Sequence, residues 1–196
     1  KQSKPARAPS RARGKIAPKG SGTRSRRRPS LPAPDTLWFM YRKMVEIRTF
    51  EEHVWDVYTR GLMPGLAHLY IGEEGVAVGA CAALRDDDYI TSTHRGHGHC
   101  LAKGARLEGM MAEIMGKEAG YCRGKGGSMH IADMAVGNLG ANGIVGGSFG
   151  IATGAALSAK LRQTDQVGVA FFGDGDGSHI FIGHWYDSMS YTQSLT

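Results

Sequence analysis

Two aspartates, Asp174 and Asp176, lie among three glycines directly after an apolar run in the stretch "VAFFGDGDGSHI". Carboxylates in such a turn are typical of cation sites, and the calcium-binding EF-hand loop also begins Asp-x-Asp. That loop requires glycine at its sixth position and glutamate at its twelfth, and this sequence has neither there. Mg²⁺ instead takes one or two carboxylates and completes its shell with phosphate oxygens. Because Gly173 and Gly175 let the turn bend tightly and expose backbone amides, we expect a hard cation beside a phosphate group.

A second loop, "ITSTHRGHGHC", has side chains that suit the phosphate. Arg95 presents a planar fork of donors that matches phosphate oxygens, and His94 can donate beside it. A zinc site is a rival reading, because His94, His97, His99 and Cys100 lie close together in the sequence. A string this tight rarely surrounds a metal tetrahedrally, and such sites normally need a second cluster of ligands. A third reading treats these histidines as ordinary polar loop residues.

The third loop, "GANGIVGG", offers apolar side chains between two glycine-bearing turns. Ile144 and Val145 would press against a flat ring through their side chains and backbone carbonyls. Taken alone, such a run more often reflects close packing of the chain on itself than a cofactor slot.

Helical periodicity and apolar runs place these loops between regular elements. Apolar residues recur every three to four positions between Met40 and Tyr58, which predicts a helix that Asp35 caps and Gly61 ends. We expect further helices over 73–84, 106–116 and 151–162, strands over 88–93 and 166–172, and loops over 94–99 and 119–150. This alternation indicates an open α/β sheet, in which ligands bind at the carboxyl ends of the strands.

The first 34 residues differ in composition from the rest. They hold 11 of the 24 Lys and Arg residues, six of the seven prolines and none of the 18 acidic residues. Such a segment cannot bury enough apolar surface to fold, so we interpret 1–34 as a disordered basic tail ahead of one α/β domain over 35–196. The tail is a solvated extension, a targeting peptide or a segment that binds acidic partners. We do not expect nucleic acid as a partner, because no aromatic residue lies among the basic ones.

Cysteine content and hydropathy bear on the compartment. Cys81, Cys100 and Cys122 form no C-x-x-C pair, so we expect free thiols in a reducing environment. No apolar stretch approaches the ~18–20 residues that span a bilayer, which predicts a soluble protein without a membrane partner. We expect a bacterial cytoplasmic location, or the mitochondrial matrix or a plastid if the tail is a targeting peptide.

Five motifs, in their order, resemble one known family: "HLYIGEEGVAVG", "ITSTHRGHGHCLAKG", "MMAEIMGKEAGYCRGKGGSMHIAD", "NLGANGIVGG" and "FFGDG". Over about residues 37–175 they look like the alpha subunit of the thiamine-diphosphate-dependent 2-oxo-acid dehydrogenases, nearest to the pyruvate and acetoin types. The resemblance implies the thiamine-diphosphate-binding α/β fold, an open and mostly parallel sheet with helices on both faces. We expect this chain to end before that fold is complete. A beta subunit, in an α2β2 assembly, and a lipoyl-bearing acyltransferase are the implied partners.

The family's functional residues carry over onto matching positions. Asp174 would ligate Mg²⁺, while His94 and Arg95 would bind the diphosphate of thiamine diphosphate. His68 matches a histidine near the reacting carbon and would move a proton or orient substrate. The implied cofactor-binding residues are His94, Arg95, Gly143, Ile144, Val145, Gly173, Gly175 and Asp176. The implied activity is oxidative decarboxylation of pyruvate, or cleavage of acetoin, with acyl transfer to a lipoyl arm.

Two departures from the family's pattern favour an alternative. Asp176 adds negative charge beside an anionic diphosphate, which weakens binding unless its side chain points away. The family supplies a second magnesium ligand from an asparagine beyond the aspartate, and no asparagine follows Asp174 here. We therefore expect this chain alone to be an incomplete half-site for the cofactor. The alternative function is a non-catalytic remnant or assembly subunit of the same fold.

Overall fold

Four parallel strands form the sheet in the described part of this computed structural model, which covers residues 31–173 and 189–193. The strands are β1 (Tyr89–Thr93), β2 (Asn138–Asn142), β3 (Gly168–Phe172) and β4 (Met189–Gln193). Their order across the sheet is β2-β1-β3-β4. Thr93 of β1 is in register with Asn142 of β2, and Thr91 with Ala170 of β3. Strand β1 therefore lies between the two strands that follow it along the chain.

Five α-helices lie in the same described ranges. They are α1 (Pro34–Thr59), α2 (Glu74–Cys81), α3 (His97–Lys103), α4 (Leu107–Ile114) and α5 (Gly147–Arg162). Short 3₁₀ turns occur at Gly127–Met129 and Met134–Val136. None of the described helices is long and apolar enough to cross a membrane.

Side chains on β1 alternate between two helical layers. The Ser92 hydroxyl lies 2.7 Å from Nδ1 of His99 in α3, whereas the Thr91 hydroxyl donates to the Ser148 carbonyl at the start of α5. Neighbouring residues of a strand point to opposite faces. Helices α3 and α5 therefore cover opposite faces of the sheet, which confirms the expected open α/β sheet with helices on both sides.

The two layers differ in how they pack. On the α3 face, large side chains from several elements are buried together, including Ile47 and Val54 of α1, Tyr70, Leu101 of α3 and Phe171 of β3. Burying each such side chain contributes about 1.5–3 kcal/mol, so this layer supplies most of the hydrophobic stabilisation. On the other face, α5 presents small buried residues, and a Cβ added at Gly168 of β3 would lie 3.0 Å from the Ala152 carbonyl oxygen. Helix α5 therefore packs unusually close to the sheet.

The ends of α1 were predicted with mixed success. Gly61, with φ of +67°, follows the helix as expected, and its amide and that of Leu62 donate to Tyr58 and Val57 in a Schellman motif. The expected Asp35 cap is wrong. Ala33 occupies the N-cap position without a side-chain bond, because Pro34 is the first helical residue. Proline suits that position through its fixed φ and missing N–H.

The sequence patterns missed α3, β2 and β4. The expected loop over 94–99 contains the start of α3, and the expected loop over 119–150 contains β2 and the start of α5. No strand was expected over the residues that form β4. Most of the tail interpreted as disordered, residues 1–30, lies outside the described residues.

Candidate functional site

Three of the loops singled out in the sequence meet at one edge of the sheet. Gly143 follows the last residue of β2, His94 follows β1, and Gly173 follows β3. The strands are adjacent and parallel, so their carboxyl ends share an edge. The chain leaves β1 to form β2 on one side and then β3 on the other, which makes this edge the topological switch point where open sheets bind ligands. The predicted residues Asp174, Gly175 and Asp176 lie outside the described residues.

The His68, His94 and Arg95 side chains come together at this edge. The imidazoles of His68 and His94 pack edge to face with centroids 4.8 Å apart. The Arg95 guanidinium donates to the Leu69 carbonyl and lies 3.6 Å from the Glu73 carboxylate. The segment that carries His68 is therefore fixed against the loop after β1. Sequence reasoning placed all three residues in one site, although His68 precedes the other two by a helix and a strand.

His68 has an unusual electrostatic environment. Among the described residues, its Nδ1 is the buried side-chain polar atom without a hydrogen-bond partner. Burial lowers the pKa of the His68 imidazole, and electrostatic interactions with His94, Arg95 and His97 lower it further. Because each influence disfavours the charged form, the ring stays neutral at pH values where an ordinary histidine is protonated. A neutral imidazole with a free nitrogen can accept a proton.

The loop after β2 packs its first glycine against a histidine ring. A Cβ at Gly143 would lie 2.9 Å from Cε1 of His130, so the backbone and that imidazole are in close contact. The next turn is shaped by Asn142, whose side-chain oxygen accepts the amide of Ile144 at 2.9 Å. The side chains of Ile144 and Val145 are 73% and 45% exposed and remain open to a ligand. No sequence pattern had indicated His130.

The zinc reading of the histidine string is wrong. The ring nitrogens of His97 bind Glu51 and Ser128, and those of His99 bind Ser92 and Tyr70. Burial raises the pKa of the Cys100 thiol to about 12, which disfavours the thiolate that zinc needs. Within the described ranges no three metal-binding side chains are grouped to hold an ion.

A buried carboxylate that the sequence analysis missed organises the loop before β2. Glu113 is fully buried, and its two oxygens accept the amides of Cys122, Gly124, Gly126 and Gly127 at 2.7–3.1 Å. Amides that converge in this way stabilise a buried negative charge. The glycine-rich turn therefore wraps around Glu113 and sets the position of Ser128. In the sequence, the glycine-rich run "CRGKGG" was the one feature that indicated this turn.

These residues fit a diphosphate-bearing cofactor. A guanidinium fork and an imidazole suit the diphosphate oxygens, and the unpartnered Nδ1 of His68 is available to a polar group. The exposed apolar pair after β2 and the glycine backbones leave room for a ring. Glu73 is the acid that contacts Arg95, and burial raises its pKa while Arg95 lowers it.

The fold and this edge define an α/β protein of the open parallel-sheet class with a site that suits an anionic cofactor. A family model for the dehydrogenase E1 component matches residues 42–187, and the chain belongs to that family. The resemblance inferred from the motifs is thereby confirmed. Members of the family depend on thiamine diphosphate, usually with Mg²⁺.

Individual relatives agree with the family. The chain is 64% identical over 146 residues to the alpha subunit of acetoin:2,6-dichlorophenolindophenol oxidoreductase from Bacillus subtilis (strain 168), covering 74% of this chain and 44% of the relative. It is 55% identical over 141 residues to the subunit of that name from Cupriavidus necator, covering 72% and 42%. It is 41% identical over 150 residues to the pyruvate dehydrogenase E1 component subunit alpha of Rhizobium meliloti (strain 1021), covering 76% and 42%. The chain thus spans less than half the length of these curated relatives.

Proposed function

We propose that this chain is the cofactor-holding part of the alpha subunit of a thiamine-diphosphate-dependent E1 component that acts on acetoin. Acetoin is favoured because the chain is 64% and 55% identical to two subunits named for acetoin, against 41% for one named for pyruvate. Oxidative decarboxylation of pyruvate is the second candidate, supported by the shared family. In both cases the acyl group passes to an acceptor such as a lipoyl arm.

The cluster of His68, His94 and Arg95 is the observation that carries this proposal. His94 and Arg95 bind the diphosphate oxygens, and the contact with Glu73 keeps the guanidinium at the edge of the sheet. The backbones of Gly143, Val145 and Gly173 would help to hold the cofactor, and the exposed Ile144 side chain would contact its ring. The family resemblance suggests that Asp174 would ligate Mg²⁺ and that Gly175 and Asp176 would contribute to diphosphate binding; these three residues lie outside the described ranges.

Thiamine diphosphate supplies, when bound, a nucleophilic carbon and an electron sink for cleavage beside a carbonyl. The protein supplies orientation and proton transfer. His68 accepts or returns a proton at Nδ1, which has no protein partner among the described residues and is kept neutral by its surroundings. Arg95 neutralises negative charge on the cofactor, and Ile144 and Val145 exclude water from the ring.

A beta subunit and a lipoyl-bearing acyltransferase are the proposed partners. The relatives are named as alpha subunits, which supports a second kind of subunit. We place the protein in the bacterial cytoplasm, since the two most similar of these relatives are bacterial. If the basic tail is a targeting peptide, the compartment is instead a mitochondrion or plastid, as the names of two plant relatives state.

The test uses the complete protein with its beta-type partner. Reduction of dichlorophenolindophenol is measured with acetoin and with pyruvate, with and without Mg²⁺ and thiamine diphosphate. Cofactor-dependent turnover that is faster with acetoin supports the proposal, and faster turnover with pyruvate selects the second candidate. Assembly with the partner without turnover or cofactor binding overturns both and supports the non-catalytic alternative.

Variants of Arg95 test the diphosphate contact by titration calorimetry. Arg95→Gln is expected to weaken thiamine diphosphate binding about 10- to 100-fold, while binding of thiamine without its diphosphate stays unchanged. Arg95→Lys restores only part of the affinity, because a point charge does not reproduce the fork. Arg60→Gln is the matched control, since Arg60 is exposed and pairs with Asp56. Equal affinity in Arg95→Gln and wild type contradicts this contact.

A further inference from the structure

A buried chain of hydrogen bonds lies directly behind His68. Glu51 of α1 lies 2.8 Å from Nδ1 of His97, the first residue of α3. Nε2 of His97 lies 2.9 Å from the Ser128 hydroxyl, and that hydroxyl accepts the backbone amide of His68 at 3.4 Å. Glu51 and His97 are completely buried, and Ser128 is 4% exposed. These residues have almost no exposed surface to offer a ligand, so we assign them no contact with the cofactor.

Three consecutive residues are held by this arrangement. The amide of His68 is bound by Ser128, the carbonyl of Leu69 accepts from Arg95, and the amide of Tyr70 donates to the second oxygen of Glu51 at 3.0 Å. The segment from 68 to 70 contains neither helix nor strand. Its position against the site therefore comes from these side chains rather than from a backbone ladder.

His97 joins both parts of the site. Through Glu51 and Ser128 it holds the segment that carries His68. It also begins the helix that follows His94 and Arg95, so its position fixes where that loop ends. A shift of the His97 ring would thus move His68 relative to Arg95.

The burial of these polar side chains is energetically costly, which indicates that they serve a function. Burying a carboxylate and an imidazole costs free energy unless every polar atom is satisfied, and apolar residues of the same volume often stabilise a fold better. Both oxygens of Glu51 and both ring nitrogens of His97 are satisfied, which makes the arrangement rigid and specific. Rigidity matters most where a proton is transferred, because a misplacement of about 1 Å can cost about 100-fold in rate.

We propose that Glu51, His97 and Ser128 are positioning residues that hold Nδ1 of His68 in register with the diphosphate-binding pair His94 and Arg95. The inference rests on the proposed function, and it assigns these buried residues no contact with cofactor or substrate. Replacing these residues would shift His68 away from His94 and Arg95, which must act on the same bound cofactor. Replacement of these residues is therefore expected to lower kcat more than it raises KM.

Two variants in the complete protein with its partner test the inference. His97→Asn can keep the bond to Glu51 but cannot reach Ser128, and Ser128→Ala removes only the hydroxyl. Both are expected to lower kcat with acetoin about 10- to 100-fold, while KM changes less than about twofold. Calorimetry with Mg²⁺ and thiamine diphosphate is expected to show about three- to tenfold weaker binding, independently of activity.

Thr91→Val is the matched control. Thr91 is also a buried residue with a bonded hydroxyl, but that hydroxyl donates to the Ser148 carbonyl on the face of the sheet that α5 covers, away from His68. It is expected to lower the unfolding midpoint to a similar extent and to leave kcat within about twofold. If all variants lose kcat in parallel, or if Ser128→Ala retains wild-type kcat and affinity, the positioning role is overturned. A wild-type protein without turnover and cofactor binding would overturn the proposed function, and this inference with it.

Discussion

The imidazoles of His68 and His94 meet edge to face, with ring centroids 4.8 Å apart, at the carboxyl edge of β1. Arg95 follows His94 directly and adds a permanent positive charge. Burial lowers the pKa of His68, and electrostatic interactions with His94 and Arg95 lower it further. The site therefore combines a cationic surface for an anion with a neutral base.

Replacement of His68 separates proton transfer from cofactor binding. His68→Asn keeps a polar side chain but removes the base, so kcat of the complete protein is expected to fall about 100- to 10,000-fold. Affinity for thiamine diphosphate measured by calorimetry is expected to stay within about threefold, because Arg95 and His94 are intact. His53→Asn, at an exposed position on α1, is the control. Wild-type kcat in His68→Asn would remove His68 from the reaction.

Acid stability is expected to depend on His99. Burial lowers the pKa of His99 from 6.5 to about 3, so the unfolded chain takes up a proton at higher pH than the folded one. This contribution to stability is complete above pH 6.5 and is lost as the pH falls towards 3, by up to about 1.4 kcal/mol per pH unit. The neighbours Ser92, Tyr70 and Phe171 add no charge in this range.

Urea unfolding between pH 7 and 4 measures this slope. His99→Gln is expected to flatten it, and to lower the stability at pH 7 because a stacked ring and two hydrogen bonds are lost. His53→Asn is expected to leave the slope unchanged. An unchanged slope in His99→Gln would show that His99 is protonated in the folded protein.

Loss of the Glu113 charge is expected to loosen the glycine-rich turn. In Glu113→Gln an amide group faces backbone N–H donors, so about 3 kcal/mol of unfolding free energy is expected to be lost. Glu118→Gln, an exposed change near the same turn, is expected to cost less than about 0.5 kcal/mol. Denaturant titration compares them. Equal stability of the two variants would mean that the four amides do not depend on the carboxylate.

Two glycines in helices are expected to respond in opposite directions to alanine. A Cβ at Gly98 of α3 would overlap the Tyr70 ring, whereas a Cβ at Gly79 of α2 would meet nothing within 4 Å. Gly98→Ala is expected to destabilise by about 1–3 kcal/mol through overpacking. Gly79→Ala is expected to stabilise by about 0.5–1 kcal/mol, because alanine loses less backbone freedom. Thermal unfolding measures both, and a stabilising Gly98→Ala would contradict the close approach of α3 to Tyr70.

Elements with strong local patterns were predictable from the sequence. The apolar spacing of α1 and the runs of β1 and β3 gave their types correctly, and ends of parallel strands must share an edge. That geometry is enough to bring the loop of Arg95 towards the turn at Gly173. Strand β2 was missed because "NLGAN" holds glycine and asparagine, which are depleted in strands. Strand β2 forms by pairing with β1, whose backbone groups on that side would otherwise lack hydrogen-bond partners.

The buried polar residues were not predictable. Glu51 looked like one acid of an amphipathic helix, and its partner His97 is 46 positions away. No local sequence pattern predicts such a pair, because the interaction is stabilised by burial and by hydrogen bonds that exist only in the folded chain. The sequence pointed to the loop after β1 as part of the site. The zinc alternative for its histidines is wrong, because the rings of His97 and His99 are hydrogen-bonded inside the protein.

The parallel pairing of β1 with β3 has a kinetic consequence. The Asp88 carboxylate accepts the amide of Val167 from 79 positions away, at the start of both strands. Contacts between distant segments form only after a large loss of chain entropy, so domains rich in them fold slowly. The edge of the sheet that carries Arg95 and Gly173 is therefore expected to form late in folding. Until β1 and β3 have paired, newly synthesised chains are exposed to misassembly.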